Sequence, residues 1–215
     1  MSDITNQITE TTRTLSHRDI PAGQGRAVSL SRVYHAAIDD VWDALTDPER
    51  ISRWFLPVTG DLRLGGRYEL QGNAGGEILR CEPPRLIAVT WVYGEAPTEA
   101  DISEVVVRLT STDDEHTRLE LEHTAVVDDE RWAEFGPGAV GVGWDLAMLG
   151  LALYLESGTS IEDPDAWSVS PEARRFMTES SQAWGNALKA TGATEEEVAA
   201  AIRNTTAFYA PHPEN

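Results

Sequence analysis

The run Ala139–Glu156, AVGVGWDLAMLGLALYLE, constrains the fold more than any other part of the chain. Wound at about 100° per residue, it puts Val140, Trp144, Ala147, Met148, Leu151 and Leu155 on one face. Val142, Leu146, Gly150 and Leu153 fall on the opposite face, and Asp145 and Glu156 are left on a narrow polar stripe. A helix that is apolar on two sides has to be buried on two sides. The run is marginal in length for crossing a bilayer, contains Asp145 and three glycines, and has no basic flank. It is therefore expected to be the core helix of a soluble protein, and two other layers are needed to cover it.

A sheet can supply one layer. Arg26–His35 has the β-branched, mixed-polarity character of a first strand, and Asp39 and Asp47-Pro48 are placed to begin two short helices after it. Beyond Pro57 the chain becomes short strands punctuated by turn residues. Gly65-Gly66 separates DLRL from RYEL, and Gly72–Gly76 separates RYELQ from EILRCE. Leu86–Tyr93, Ile102–Thr110 and Thr117–Thr124 follow, joined by turns at Gly94–Pro97 and Thr112–Asp114. Connections of hairpin length require an antiparallel sheet, since parallel neighbours need long crossovers. Leu119, Leu121 and His123 share one face of the last strand, against Arg118, Glu120 and Glu122 on the other, so one face of the sheet is expected to be wet.

The C-terminal segment can supply the second layer. Ser170-Pro171 starts a helix that Gly192 stops, and Thr194–Glu197 is a capping box for a last helix. The organisation expected is a flexible arm over residues 1–24, an α+β domain over 25–157 and a helical extension over 158–215 packed on it. In that domain a curved antiparallel sheet wraps around the long helix.

Seventeen basic against 36 acidic residues leave a net charge of −19, a field that repels phosphate backbones and anionic lipid headgroups. Nucleic acid and membrane surfaces are thus not expected as partners. The single cysteine, Cys81, permits no intramolecular disulfide and no thiolate metal cluster, and the first twenty residues lack the apolar core of a secretory signal. A cytoplasmic protein is expected.

Ala36–Phe55 (AAIDDVWDALTDPERISRWF) resembles the opening of the START-like superfamily, in the branch named for homologues of the heat-shock-chaperone ATPase activator. Leu64–Tyr68, Cys81–Leu86, Val89–Trp91 and Gly141–Trp144 are similar to its later blocks, and together the matches span roughly residues 26 to 157. The resemblance implies a helix-grip fold, in a superfamily that holds lipid carriers, hormone receptors and aromatic polyketide cyclases. A carrier or sensor of a small hydrophobic or aromatic ligand leads. The alternatives are a cyclase- or dehydratase-like enzyme and a chaperone-associated or other protein-interaction module.

No catalytic constellation accompanies the pattern. Gly136–Gly141 matches GxGxxG as a string but lacks a βαβ setting, so it reads as the lead-in to the long helix. The five histidines are scattered and none has a partner at metal-ligand spacing, so neither a metal nor a cofactor is expected. Glu77 and Asp145 are possible inward polar groups, expected to be structural. What remains is aromatic. Trp54, Phe55, Tyr68, Trp91, Tyr93, Trp132, Phe135 and Trp144 fall where a helix-grip fold places its cavity wall or mouth. All of these except Phe135, with His123 as a polar anchor and Met148 and Leu151 on the helix, form the candidate ligand site of ten residues, although packing alone would account for any one ring.

Overall fold

The computed structural model describes residues 6–94, 98 and 101–211. A short helix α1 (Asn6–Thr9) leads into β1 (Thr12–Ile20) and β2 (Gly23–Tyr34), then α2 (Ile38–Thr46) and α3 (Pro48–Ile51). Six strands follow: β3 (Val58–Gly60), β4 (Arg67–Leu70), β5 (Gly75–Glu82), β6 (Leu86–Trp91), β7 (Ser103–Ser111) and β8 (Thr117–Ala125). Five helices follow among the described residues: α4 (Asp129–Phe135), α5 (Gly138–Ser157), α6 (Pro164–Ser168), α7 (Pro171–Ala190) and α8 (Glu195–Tyr209).

All eight strands form one antiparallel sheet in the order β1-β2-β8-β7-β6-β5-β4-β3. One face holds α5, so the fold is the helix grip. Inward residues of β7 and β8, among them Val105, Val107, Leu109, Leu119 and Leu121, share a core with Trp144, Met148, Leu149 and Leu151 of α5. A small buried cluster of Leu86, Ala88 and Val106 lies on the outward face.

The other side of α5 is closed by α7, α8 and β1. Trp184 of α7 is fully buried, and a Cβ added at Gly141 would lie 2.2 Å from its ring. Only glycine admits the indole this close. Thr205 of α8 meets Gly138 in the same way, at 2.5 Å from a notional Cβ. The glycines of the GxGxxG string thus receive side chains of the helical hairpin. Between the layers Asp145 is 3% exposed and accepts from Arg13 Nη2 at 2.7 Å, Arg13 Nε at 3.0 Å, Ser180 Oγ at 2.5 Å and Trp184 Nε1 at 3.0 Å. Burial pushes this carboxyl above its ordinary range, opposed by the Arg13 charge and the hydroxyl and indole donors. Gly150, expected on the outer face, instead meets the carbonyl of Trp54.

Several boundaries correct the sequence reading. The flexible arm over residues 1–24 does not hold for its described part, because Thr12–Ile20 is a nine-residue strand paired with β2 along its length. Ile20 pairs with Gly23 at φ +131°, leaving Pro21-Ala22 as a two-residue hairpin tip. DLRL is not a strand. Asp61–Gly66 is a turn, closed by Arg63 and Gly66 backbone bonds, and the strand lies three residues earlier at Val58–Gly60. Asp47 caps α3 as expected, whereas α2 begins after Ala37 with no side-chain cap and Asp39 sits in its first turn. Most of the turn expected at Gly94–Pro97 lies outside the described residues.

Candidate functional site

A cavity of about 200 Å³ lies between the sheet and α5. Ile87, Val89 and Trp91 of β6, with Val105, Val107, Leu119 and Leu121 beyond them, form its floor, and Trp144, Ala147, Met148 and Leu151 of α5 form its roof. Tyr68, Leu70 and Ile78 make a side wall. Trp54, Phe55, Leu62, Arg63 and Cys81 line it where α3, the β3–β4 turn and β5 meet. Leu62 is 39% exposed, the Arg63 side chain is 79% exposed and Cys81 is exposed, so this end is the mouth.

Cys81 reaches the mouth through a bulge. The β5–β6 register shifts between Ile78 and Arg80, making Leu79 an extra residue. Ile78 pairs with Val89 and Cys81 with Ile87, both opposite cavity residues, while Arg80 pairs with outward Ala88. Strict alternation from Ile78 would have put Arg80 inward.

The polar groups behind the wall form a relay in which every hydrogen has a direction. Trp144 Nε1 donates to His123 Nδ1 at 3.0 Å, which fixes that nitrogen as the acceptor. His123 Nε2 therefore carries the proton and donates to Ser103 Oγ at 2.8 Å, and Ser103 donates to the Trp91 carbonyl at 2.6 Å. A second proton on His123 would break the Trp144 bond and bury a charge. Burial accordingly pushes the His123 pKa down to about 4. Tyr68 donates its hydroxyl to the Thr90 carbonyl at 2.8 Å, and burial holds that phenol protonated far above its ordinary range. Trp54 Nε1 donates to the Ala44 carbonyl at 2.9 Å.

The structure brings seven of the ten expected site residues to the cavity wall: Trp54, Phe55, Tyr68, Trp91, Trp144, Met148 and Leu151. Three lie elsewhere. His123 is behind Trp144 and serves as its hydrogen-bond partner; Tyr93 is 60% exposed, with its ring edge-on to Trp91 at 6.4 Å between ring centres. Trp132 packs on the Leu188, Val198 and Ala201 cluster under the Arg26 guanidinium, 4.8 Å from its ring centre. Phe135 faces Phe208 of α8. Glu77 is exposed, and Asp145 is inward but in the outer network. Sequence reasoning missed the mouth residues Leu62 and Arg63, which sit in the turn read as a strand, and Ser103, whose role depends on its register opposite Trp91.

Arg63, Tyr68 and Cys81 are the only ionisable side chains among the described lining residues. Arg63 is paired with Asp61 at 2.8 Å, and Tyr68 is committed to Thr90. Among the described residues no group of His, Cys, Asp and Glu could hold a metal ion. The arrangement can hold an apolar molecule.

The family model for Activator of Hsp90 ATPase homolog 1-like protein matches residues 35–156. The crystal structure of CalU16 from Micromonospora echinospora is 41% identical, with a TM-score of 0.66 over 83% of this chain and 98% of that one. Protein MLL2253 from Mesorhizobium loti is 26% identical, with a TM-score of 0.52 over 63% of this chain and 100% of that one. PFC0360w, described as an HSP90 activator from Plasmodium falciparum, is 24% identical over 62% of this chain and 96% of that one, at a TM-score of 0.52, and shares the fold. The likeness to CalU16 covers more of the chain than the family model does. No curated protein sequence matches.

Proposed function

This chain belongs to the family of Activator of Hsp90 ATPase homolog 1-like proteins, and from that premise we propose that it is a cytoplasmic carrier or sensor that encloses a small hydrophobic or aromatic molecule between the sheet and α5. The observation that carries the reading is the cavity: about 200 Å³, walled by aliphatic and aromatic side chains, and open at one end. Its size is on the order of the roughly 150 Å³ apolar cavity that stays dry and binds benzene, which suits a molecule of one or two rings. Apolar burial supplies the affinity, and the indole and phenol rings supply the shape.

The cavity contents favour binding over catalysis. A cyclase or dehydratase needs at least one acid or base within reach of its substrate. Here the imidazole is behind the wall with both nitrogens engaged, the phenol is engaged by a backbone carbonyl, and the Cys81 thiol is out at the exposed mouth. Native mass spectrometry of purified protein tests the proposal. A co-purified molecule of one or two rings, or uptake of tetralin added at micromolar concentration, is expected; a chain that stays unliganded in both cases would overturn it.

A further inference from the structure

Resting on the cavity reading above, we infer that the molecule held there is neutral and carries a hydrogen-bond acceptor of the carbonyl or ether type, which meets the indole N–H of Trp91. Almost every hydroxyl and indole donor on the cavity wall is already engaged. Thr46 donates to the Trp42 carbonyl at 2.8 Å, Tyr68 to Thr90, Trp54 to Ala44 and Trp144 to His123. Trp91 is the exception. Its Nε1 has no partner among the described residues and is covered by its neighbours, so an acceptor in the cavity reaches it through a small turn of the Trp91 ring or of a neighbouring side chain.

Buried donors without partners are rare because each forfeits its hydration. Two others occur among the described residues, Arg32 Nε and Thr206 Oγ1, and neither belongs to the cavity. The rings around Trp91 are Tyr68, Tyr93, His123 and Trp144, and the one acceptor nitrogen among them, His123 Nδ1, already receives from Trp144. The protein thus fixes one wall indole through a three-step relay and leaves its neighbour, 5.0 Å away between ring centres, with a hydrogen to give.

The charge of the partner follows from the same wall. Arg63 is the only cation among the described lining residues, sits at the mouth and is already paired with Asp61. An anion at Trp91 would be buried without a counter-charge in a protein of net charge −19, and a cation would face an N–H donor. A neutral oxygen acceptor on a flat apolar frame meets both conditions.

The test compares two probes of matched shape, 1-tetralone and tetralin, which differ by one carbonyl oxygen. The readouts are the Trp91 indole resonance in ¹⁵N–¹H spectra and the two dissociation constants, for the wild type and Trp91→Phe. The expected result is a downfield shift of the Trp91 indole proton with tetralone and little with tetralin. Trp91→Phe should weaken tetralone relative to tetralin by roughly three- to ten-fold. If both probes bind, shift the Trp91 indole alike and respond equally to the substitution, the acceptor inference falls and the cavity reading stands. If neither binds, both fall. Should Trp91→Phe not fold, the wild-type indole shift alone decides.

Discussion

The two sides of α5 solve opposite problems with similar residues. On its outer side a tryptophan lies directly on a glycine, and a carboxylate receives four hydrogen bonds from an arginine, a serine and that same tryptophan. On its inner side Trp144, Ala147, Met148 and Leu151 face about 200 Å³ of open space, and the polar atoms are held behind the wall. The difference teaches where charge can be placed. A buried charge has to have fixed partners and therefore closes the layer around it, whereas apolar side chains can border a void at modest cost, so the cavity side of the helix carries no charge.

Removing the outer layer breaks this contrast most severely. Truncation after Ser157 deletes Phe176, Met177 and Trp184 from the core, at roughly 1.5–3 kcal/mol for each buried side chain, and strips Asp145 of two donors. The shortened chain is expected to be unfolded or aggregated by circular dichroism and size-exclusion chromatography; a stable monomer would show that α7 and α8 are dispensable. Asp145→Ala leaves Arg13, whose side chain is 6% exposed, without its counter-charge. A loss of about 3–5 kcal/mol in urea unfolding is expected, with tetralin binding retained at concentrations of denaturant where the variant is still folded.

Acid probes the inner side. His123 has a folded-state pKa of about 4 against an ordinary 6.5, so the unfolded chain binds the proton more readily. The stability this gives is complete above about pH 6.5 and is lost as pH falls through about 4, a drop of roughly 3 kcal/mol. The urea midpoint should fall over that window, and His123→Gln should flatten this part of the curve.

The smallest effects sharpen the contrast most. Gly141→Ala adds a methyl that would meet the Trp184 ring at 2.2 Å, and an indole anchored on Asp145 cannot yield, so roughly 1–3 kcal/mol should be lost. Ala147→Leu adds more carbon on the inner side, where there is space. It should change stability by less than about 1 kcal/mol and reduce tetralin uptake. Equal destabilisation by the two substitutions would mean that both sides are packed solid.

Much of this contrast was legible in the sequence because it rests on period. The two-sided apolarity of Ala139–Glu156 required two covering layers, and the caps at Asp47, Ser170 and Thr194 announced their helices. The fold and the family blocks around Ala36–Phe55 followed from short-range patterns of that kind. What stayed hidden depends on register or on distance in three dimensions. Arg13 sits in an edge strand, TRTLSHRDI, whose sparse apolar residues give no alternation to read, and its partner is 132 positions away. Cys81 faces the mouth only because a single extra residue at Leu79 inverts the alternation of β5. Tyr93 and Trp132 are aromatic residues close in sequence to wall residues, but one lies past the end of β6 and the other on the hairpin side of the molecule. Aromatic content identifies a pocket-forming set without saying which rings border the space.

Side-chain methyl spectra recorded while tetralin is added test the central claim most directly, because they report on both sides of α5 at once. The Met148 and Leu151 methyl resonances are expected to move saturably, while those of Val142, fully buried on the same helix away from the cavity, stay in place. Shifts spread equally over Val142, Met148 and Leu151, or no shifts at any of them, would contradict the division of α5 into a packed side and a binding side.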